Sequence, residues 1–274
     1  MVLLEKDPFL KFSIFPNSDN LYLLHLHEII GSFVFYQVVN AYIAPWLNKA
    51  IFKSHYTSID DEKVRVNFDI HTVFNIQCLI SFYTIAPILL LPVGLDIVMY
   101  HDELCSMVSA LTMGYFLWDC YICVKHFKLY GFEFLAHALS SLYVFTVSLR
   151  PFCQPWVGKF LLFEASTPFV NTNFFIAQMS RGSTDAVVPP WFNMLNGLLL
   201  LVTFFSVRIL WGFTAVTLLM RQMWKSRHQL PLVQSMILLV LNVGLNTLNI
   251  VWFKKMLKLA KKMMGGSSKV SKMA

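Results

Sequence analysis

The sequence predicts an all-α polytopic membrane protein with about seven transmembrane helices. Three observations carry this. Of 274 residues, 57% are apolar and only 14% are charged, against about 25% charged in soluble domains. The apolar residues fall into runs near the ~20 residues that cross a ~30 Å hydrocarbon core as a helix. The charges collect between the runs. With 25 Phe and 7 Trp, the chain carries more apolar surface than a soluble core of this size can hide, so it needs a second apolar solvent.

The first span is expected over 24–46, ending at Pro45 and Trp46. A charged loop, 48–68, separates it from the second, 70–93, which has Pro87 and Pro92 near its end. After the acidic connector 96–103, the third and fourth spans are expected over 104–124 and 132–149. The fifth, 156–176, carries Glu164, Ser166, Thr167, Pro168, Asn171 and Asn173. So many polar groups at membrane depth require shelter by protein or by a cavity. The sixth, 192–220, is long and carries Arg208, so it is expected to tilt or to break near Gly212. The seventh covers 232–253. Residues 1–20 mix Glu5, Lys6, Asp7, Lys11 and Asp19 and lack the apolar stretch of a cleavable signal, so the first span is read as an uncleaved one.

Charge fixes an orientation. The net charge is +7, and Lys254, Lys255, Lys258, Lys261, Lys262, Lys269 and Lys272 account for all of it. A basic tail is not a basic groove, so nucleic-acid binding is not expected. With seven spans, Lys49, Lys53, Lys63, Arg65, Lys125, Lys128 and Arg181 share the side of that tail. The positive-inside rule then places the C-terminus in the cytosol and the N-terminus on the lumenal side. Arg221, Lys225 and Arg227 oppose the assignment. The stretch from Trp252 to Met264 reads as a basic amphipathic helix for anionic headgroups or as a stop-transfer signal. Beyond Gly265 the chain is expected to lack order.

Ionisable groups inside spans are costly and are therefore site candidates. Asp119, His137, Glu164 and Arg208 each fall in a different span. Asp119 is expected as a proton acceptor, a metal ligand or the ion-pair partner of Arg208. His137 is a general base or a hydrogen-bonded core residue. Glu164 is expected to bind a headgroup, to orient His137 or to bond to Ser or Thr hydroxyls, and Arg208 to hold a phosphate, a carboxylate or one of the two acids. Asn242, Asn246 and Asn249 share one helix face, which suits interhelical hydrogen bonding. No metal site is expected. His25, His27 and Glu28 are suggestive, but two His at i and i+2 point to different sides of a helix. Cys120 and Cys123 lack a second ligand pair at zinc-like spacing.

Six strings in order carry a resemblance. They are Val66-Asn-Phe-Asp-Ile-His, Gly114-Tyr-Phe-Leu-Trp-Asp, His137-Ala-Leu-Ser-Ser-Leu-Tyr, Phe163-Glu-Ala-Ser-Thr-Pro-Phe-Val-Asn, Asn196-Gly with Val207-Arg, and Asn249-Ile-Val-Trp. Through them the chain resembles the TLC-domain family, the TRAM/Lag/CLN homology group, in its small membrane-lipid-homeostasis type. The resemblance implies a leading segment over 1–65, a six-helix barrel around a lipid-sized cavity over 66–258, and a basic tail over 259–274. It also implies the endoplasmic-reticulum membrane and a part in lipid homeostasis, with membrane lipids as partners and no cofactor. The expected cavity lining is Asp119, His137, Glu164, Ser166, Thr167, Asn171 and Arg208.

Ceramide synthases, more distantly similar, use adjacent His residues followed by an acidic motif. Here the first His of that pair is Ala136, and Glu164 and Thr167 stand where the acids begin. An acyltransferase taking acyl-CoA and a sphingoid base, with His137 and Glu164 as its catalytic pair, is the alternative. A lipid-transport or translocation-accessory role is the other. Oxyanion stabilisation for acyl transfer would have to come from Ser166, Thr167 or Asn171.

Overall fold

The computed structural model describes residues 4–150, 152–181 and 186–271, with side chains as far as Lys261. No strand occurs among them. The helices are α1 (Leu26–Phe52), α2 (Glu62–Ile85), α3 (Glu103–Lys125), α4 (Phe127–Ser148), α5 (Val157–Leu161) and α6 (Thr167–Met179). Two long ones follow, α7 (Pro190–Lys225) and α8 (Leu232–Ser271). Among the described residues α1, α3, α7 and α8 are long and apolar enough to cross a membrane on their own. α2 and α4 carry more polar residues, α5 and α6 are too short, and all four pack beside them.

The boundaries shift from the sequence expectation mainly at prolines. α1 does not stop at Pro45 but continues to Phe52. The missing N–H of Pro45 is absorbed by a wider π-type stretch over Val39–Ile43, and Pro45 falls in the first turn of the α-helical stretch Ala44–Phe52. α2 starts earlier than expected because the Asp61 side chain caps it, accepting from Lys63 N at 2.8 Å. It ends at Ile85, ahead of Pro87. α4 starts at Phe127 and bends at Gly131, whose φ of 69° only glycine adopts without strain.

The fifth unit is not one helix. A 3₁₀ stretch, Leu162–Ser166, separates α5 from α6. Pro168 lacks a donor, and the Ser166 hydroxyl bonds to Phe163 O at 3.2 Å instead of leaving the carbonyl to a regular turn. α7 is not broken at Gly212. Its irregularity is a π-type stretch over Phe205–Leu210, centred near Arg208. Gly212 instead lets α8 come close: a Cβ there would meet Asn246 Oδ1 at 2.9 Å.

Six units close a ring in the spatial order α2, α3, α4, α8, α7, α6 and back to α2, with α5 and its 3₁₀ turn wedged against α2, α3 and α7. α1 lies outside this ring against α3, its last turns also touching α2. Buried aromatics tie the two together. Tyr36 packs edge-on to Tyr115 at 5.1 Å, and Trp118 Nε1 donates to Gln37 Oε1 at 2.8 Å. The outward faces remain apolar, with Leu79, Leu198, Phe213, Val233 and Val240 among the exposed residues. Such a surface suits lipid contact. The segment beyond Gly265, expected to lack order, belongs to α8 as far as Ser271, and the side chains after Lys261 lie outside the described residues.

Candidate functional site

The ring encloses a cavity of about 330 Å³ to which every ring helix contributes. α2 gives His71 and Phe74, α3 Asp119 and Cys123, α4 Tyr130, Phe134 and His137. α6 gives Thr167 and Asn171, α7 Phe204 and Arg208, α8 Trp252 and Lys255, and Glu164 enters from the 3₁₀ turn. A second, smaller cavity of about 60 Å³ shares His137, Glu164 and Arg208 with it and is lined further by Ser141 and by the face of α8 with Asn242, Asn246 and Asn249. The whole lies toward the end where α3 and α8 finish in Lys125 and the lysine tail.

Of the seven residues expected to line such a cavity, six do. Ser166 is fully buried just behind the wall. It still serves the site, because Arg208 Nε donates to its Oγ at 2.9 Å. The unwinding that places Glu164 at the cavity follows from the sequence around Pro168. With the helix interrupted, Thr167 Oγ1 turns back to donate to Glu164 Oε2 at 2.7 Å, and Cys78 Sγ reaches Glu164 O at 3.3 Å. Irregular backbone at this depth persists because the ring surrounds it.

The expected ion pairs do not form. Among the described residues Arg208 pairs with neither Asp119 nor Glu164; it stacks over the Phe204 ring at 5.4 Å and bonds Ser166. Asp119 accepts only a weak bond from Cys123 Sγ at 3.8 Å. Two carboxylates and one guanidinium thus face one cavity without neutralising each other directly. This leaves both charge signs available to a ligand. In a low-dielectric cavity such groups interact strongly with an incoming polar head.

His137 stands between aromatic rings, edge-on to Trp252 at 5.5 Å and to Phe116 at 6.3 Å. Its buried Nδ1 has no hydrogen-bond partner. Glu164 therefore does not orient it through that nitrogen, unlike the base–orienter pair that acid–base catalysis uses.

His137 is not the only histidine in a ring helix. His71 also lines the cavity and was missed as a site residue, although it closes the Val66-to-His71 string. Its ring stacks on Phe174 at 3.7 Å. Asn171 Nδ2 donates to Asn75 Oδ1 at 2.8 Å, so Asn171 Oδ1 is the acceptor facing His71 Nδ1 at 2.7 Å. The proton therefore sits on Nδ1 of His71, and Nε2 is an acceptor. Tyr130, whose hydroxyl donates to Asn67 Oδ1 at 2.8 Å, falls in the connector between the third and fourth expected spans, and Trp252 in the last one; neither was expected as a site residue. Near the lysine-rich end, Lys255 Nζ meets Glu133 Oε2 at 3.0 Å, both side chains about half exposed.

The TLC-domain profile matches residues 67–258, which takes in the ring and the cavity. The chain is similar to Topoisomerase I damage affected protein 4 of Saccharomyces cerevisiae, 53% identical over 256 residues, covering 93% of this chain and 91% of that protein. An uncharacterised TLC domain-containing protein of Schizosaccharomyces pombe is 30% identical over 249 residues, covering 89% of this chain and 82% of its own. TLC domain-containing protein 4 of Homo sapiens is 31% identical over 109 residues, 39% of this chain and 40% of that one. No solved structure matches.

Proposed function

The chain belongs to the TLC-domain family, and on that premise we propose that it holds a membrane lipid in the ring cavity and contributes to lipid homeostasis in the endoplasmic-reticulum membrane. The observation that carries this reading is the cavity itself. Its volume falls within the ~300–1,000 Å³ usual for small-molecule sites. It is walled by Phe74, Phe116, Phe134, Phe204 and Trp252, with Asp119, Glu164 and Arg208 as its charged groups. That combination suits a molecule with an apolar body and a polar or zwitterionic head.

The lysine-rich end is assigned to the cytosol by its charge, so a lipid would enter from the cytosolic leaflet past Lys255 and Glu133. A second reading, acyl transfer from acyl-CoA to a sphingoid base, is favoured by one observation only, the placement of His137 and Glu164 on one cavity. The missing orienter weighs against it.

The test is mass spectrometry of lipids that co-purify with the full chain, beside a variant that fills the cavity from α6, Val170→Trp. A discrete lipid class retained by the wild type and lost from the variant is expected. The same lipids on both proteins would refute the cavity as the site. Consumption of acyl-CoA with a sphingoid base by the wild type but not by His137→Ala would move the assignment to acyl transfer.

A further inference from the structure

A second polar cluster lies outside the ring, where the amino-terminal segment folds over the start of α1. Asp7 comes from that segment, His25 from the turn just before α1, and Glu28 from its first turn. Their ligand atoms all lie within 4.8 Å of one another, and all three residues are buried. His25 Nδ1 stands 3.1 Å from Glu28 Oε1 and 3.6 Å from Asp7 Oδ2, with the three side chains at most 1% exposed.

A proton on His25 cannot serve both acids. Nδ1 carries at most one hydrogen, and its better contact is with Glu28 Oε1. Asp7 Oδ2 and Glu28 Oε2 are buried and have no hydrogen-bond partner. No lysine or arginine pairs with either acid among the described residues. A third carboxylate, Glu103 of α3, adds negative charge, its Oε1 accepting from Asp7 N at 2.9 Å. On the other side His27 Nε2 is held by Phe9 O at 2.9 Å and lies 3.4 Å from Glu28 Oε1. Buried carboxylates without a counter-charge are strongly unfavourable.

We propose that Asp7, His25 and Glu28 bind a divalent first-row transition cation, zinc(II) foremost, which ties the amino-terminal segment to α1. One imidazole and two carboxylates are a donor set such ions accept. Metal–ligand bonds of about 2.0–2.1 Å at tetrahedral angles place neighbouring ligand atoms about 3.3 Å apart. The two separations at His25 Nδ1 bracket that spacing. Asp7 is also held from behind, because its Oδ1 accepts from Phe9 N at 2.7 Å, the kind of outer support that orients metal ligands. His25 and His27, two residues apart, do not form the pair. The ligand that completes the set is Asp7, brought in from outside the helix.

Three protein ligands leave a fourth position for water or an oxygen ligand. Glu28 also lines a groove of about 670 Å³ between α1, α2 and α3, walled by Phe35, Tyr36 and Ile80. A molecule in that groove would border the cation.

The experiment uses the full chain, purified in detergent without a histidine tag, stripped with a chelator and titrated with Zn²⁺. The expected result is one Zn²⁺ per chain by elemental analysis and a rise in Tm on loading. Asp7→Asn and Glu28→Gln should each bind at least tenfold more weakly and lose the Tm response. Stripped, these variants should be no less stable than stripped wild type, because each removes a buried charge. Asp96→Asn, an exposed carboxylate elsewhere, should bind as wild type does. Cobalt(II) reads the site without any variant: visible d–d absorption of tetrahedral intensity is expected from the wild type. Absence of that band, no Zn²⁺ uptake, or equal uptake by Glu28→Gln would each overturn the proposal.

Discussion

Gly114 sits where α3 receives α1, and replacing it with alanine tests that packing. A Cβ at this position would lie 2.6 Å from Ser32 Cβ and 3.0 Å from Ser32 Oγ, with the Ile29 carbonyl oxygen closer still. Carbon atoms settle near 3.5–4.0 Å, so α1 must retreat by about 1 Å. The obstacle is backbone and a Cβ, which cannot rotate away. Ser32 is further pinned by donating to Leu111 O at 2.6 Å. Overpacking of this kind costs about 1–3 kcal/mol, and alanine's better helix propensity returns at most about 1 kcal/mol. A net loss of about 1–2 kcal/mol corresponds to a fall in Tm of about 2–8 °C for a chain of this size. The assay is thermal unfolding of detergent-purified protein at one fixed scan rate, since such unfolding is commonly irreversible. Gly31→Ala is the control: nothing lies within 4 Å of its Cβ position, so its Tm should stay level or rise. A Gly114→Ala protein as stable as wild type would refute the close seating of α1 on α3.

Asn171→Leu removes the acceptor of His71 and the donor to Asn75. Stranding these polar groups should cost about 1–3 kcal/mol, read as a lower Tm, whereas Asn171→Gln should recover part of it. Lys53 holds a φ of 50° and ψ of −122°, a conformation that disfavours side chains, so Lys53→Gly should raise stability by about 1 kcal/mol. An unchanged or lower Tm would show that this turn carries no strain. The Asp96 carboxylate is held below the usual carboxylate range by the backbone N–H groups of Val98 and Met99. With its folded-state value lowered, its contribution is complete above the unfolded value and is lost as pH falls through the folded one. Protection of Val98 and Met99 from hydrogen exchange, relative to the intrinsic rate at each pH, should therefore fall in that acid range in the wild type, and Asp96→Asn should remove that fall.

The sequence alone determined the class of molecule and much of its outline. Hydropathy over ~20-residue windows is a local property, so α1, α3, α7 and α8 were legible as apolar runs. Intramembrane charge is also local, and it singled out Asp119, His137, Glu164 and Arg208. What a charge does there is not local. Each of these residues lies on a different element, and only the closure of the ring brought them to one cavity and kept Arg208 on Ser166 instead of on an acid. His71 escaped notice because its partner Asn171 is 100 positions away. Asp7 escaped because its partners lie across a turn that no helical periodicity encodes. The helix irregularities fell between these limits. Proline announces that a regular turn will fail, but neighbouring helices decide whether the chain ends, as α2 does at Ile85, widens, as α1 does before Pro45, or unwinds to present Glu164.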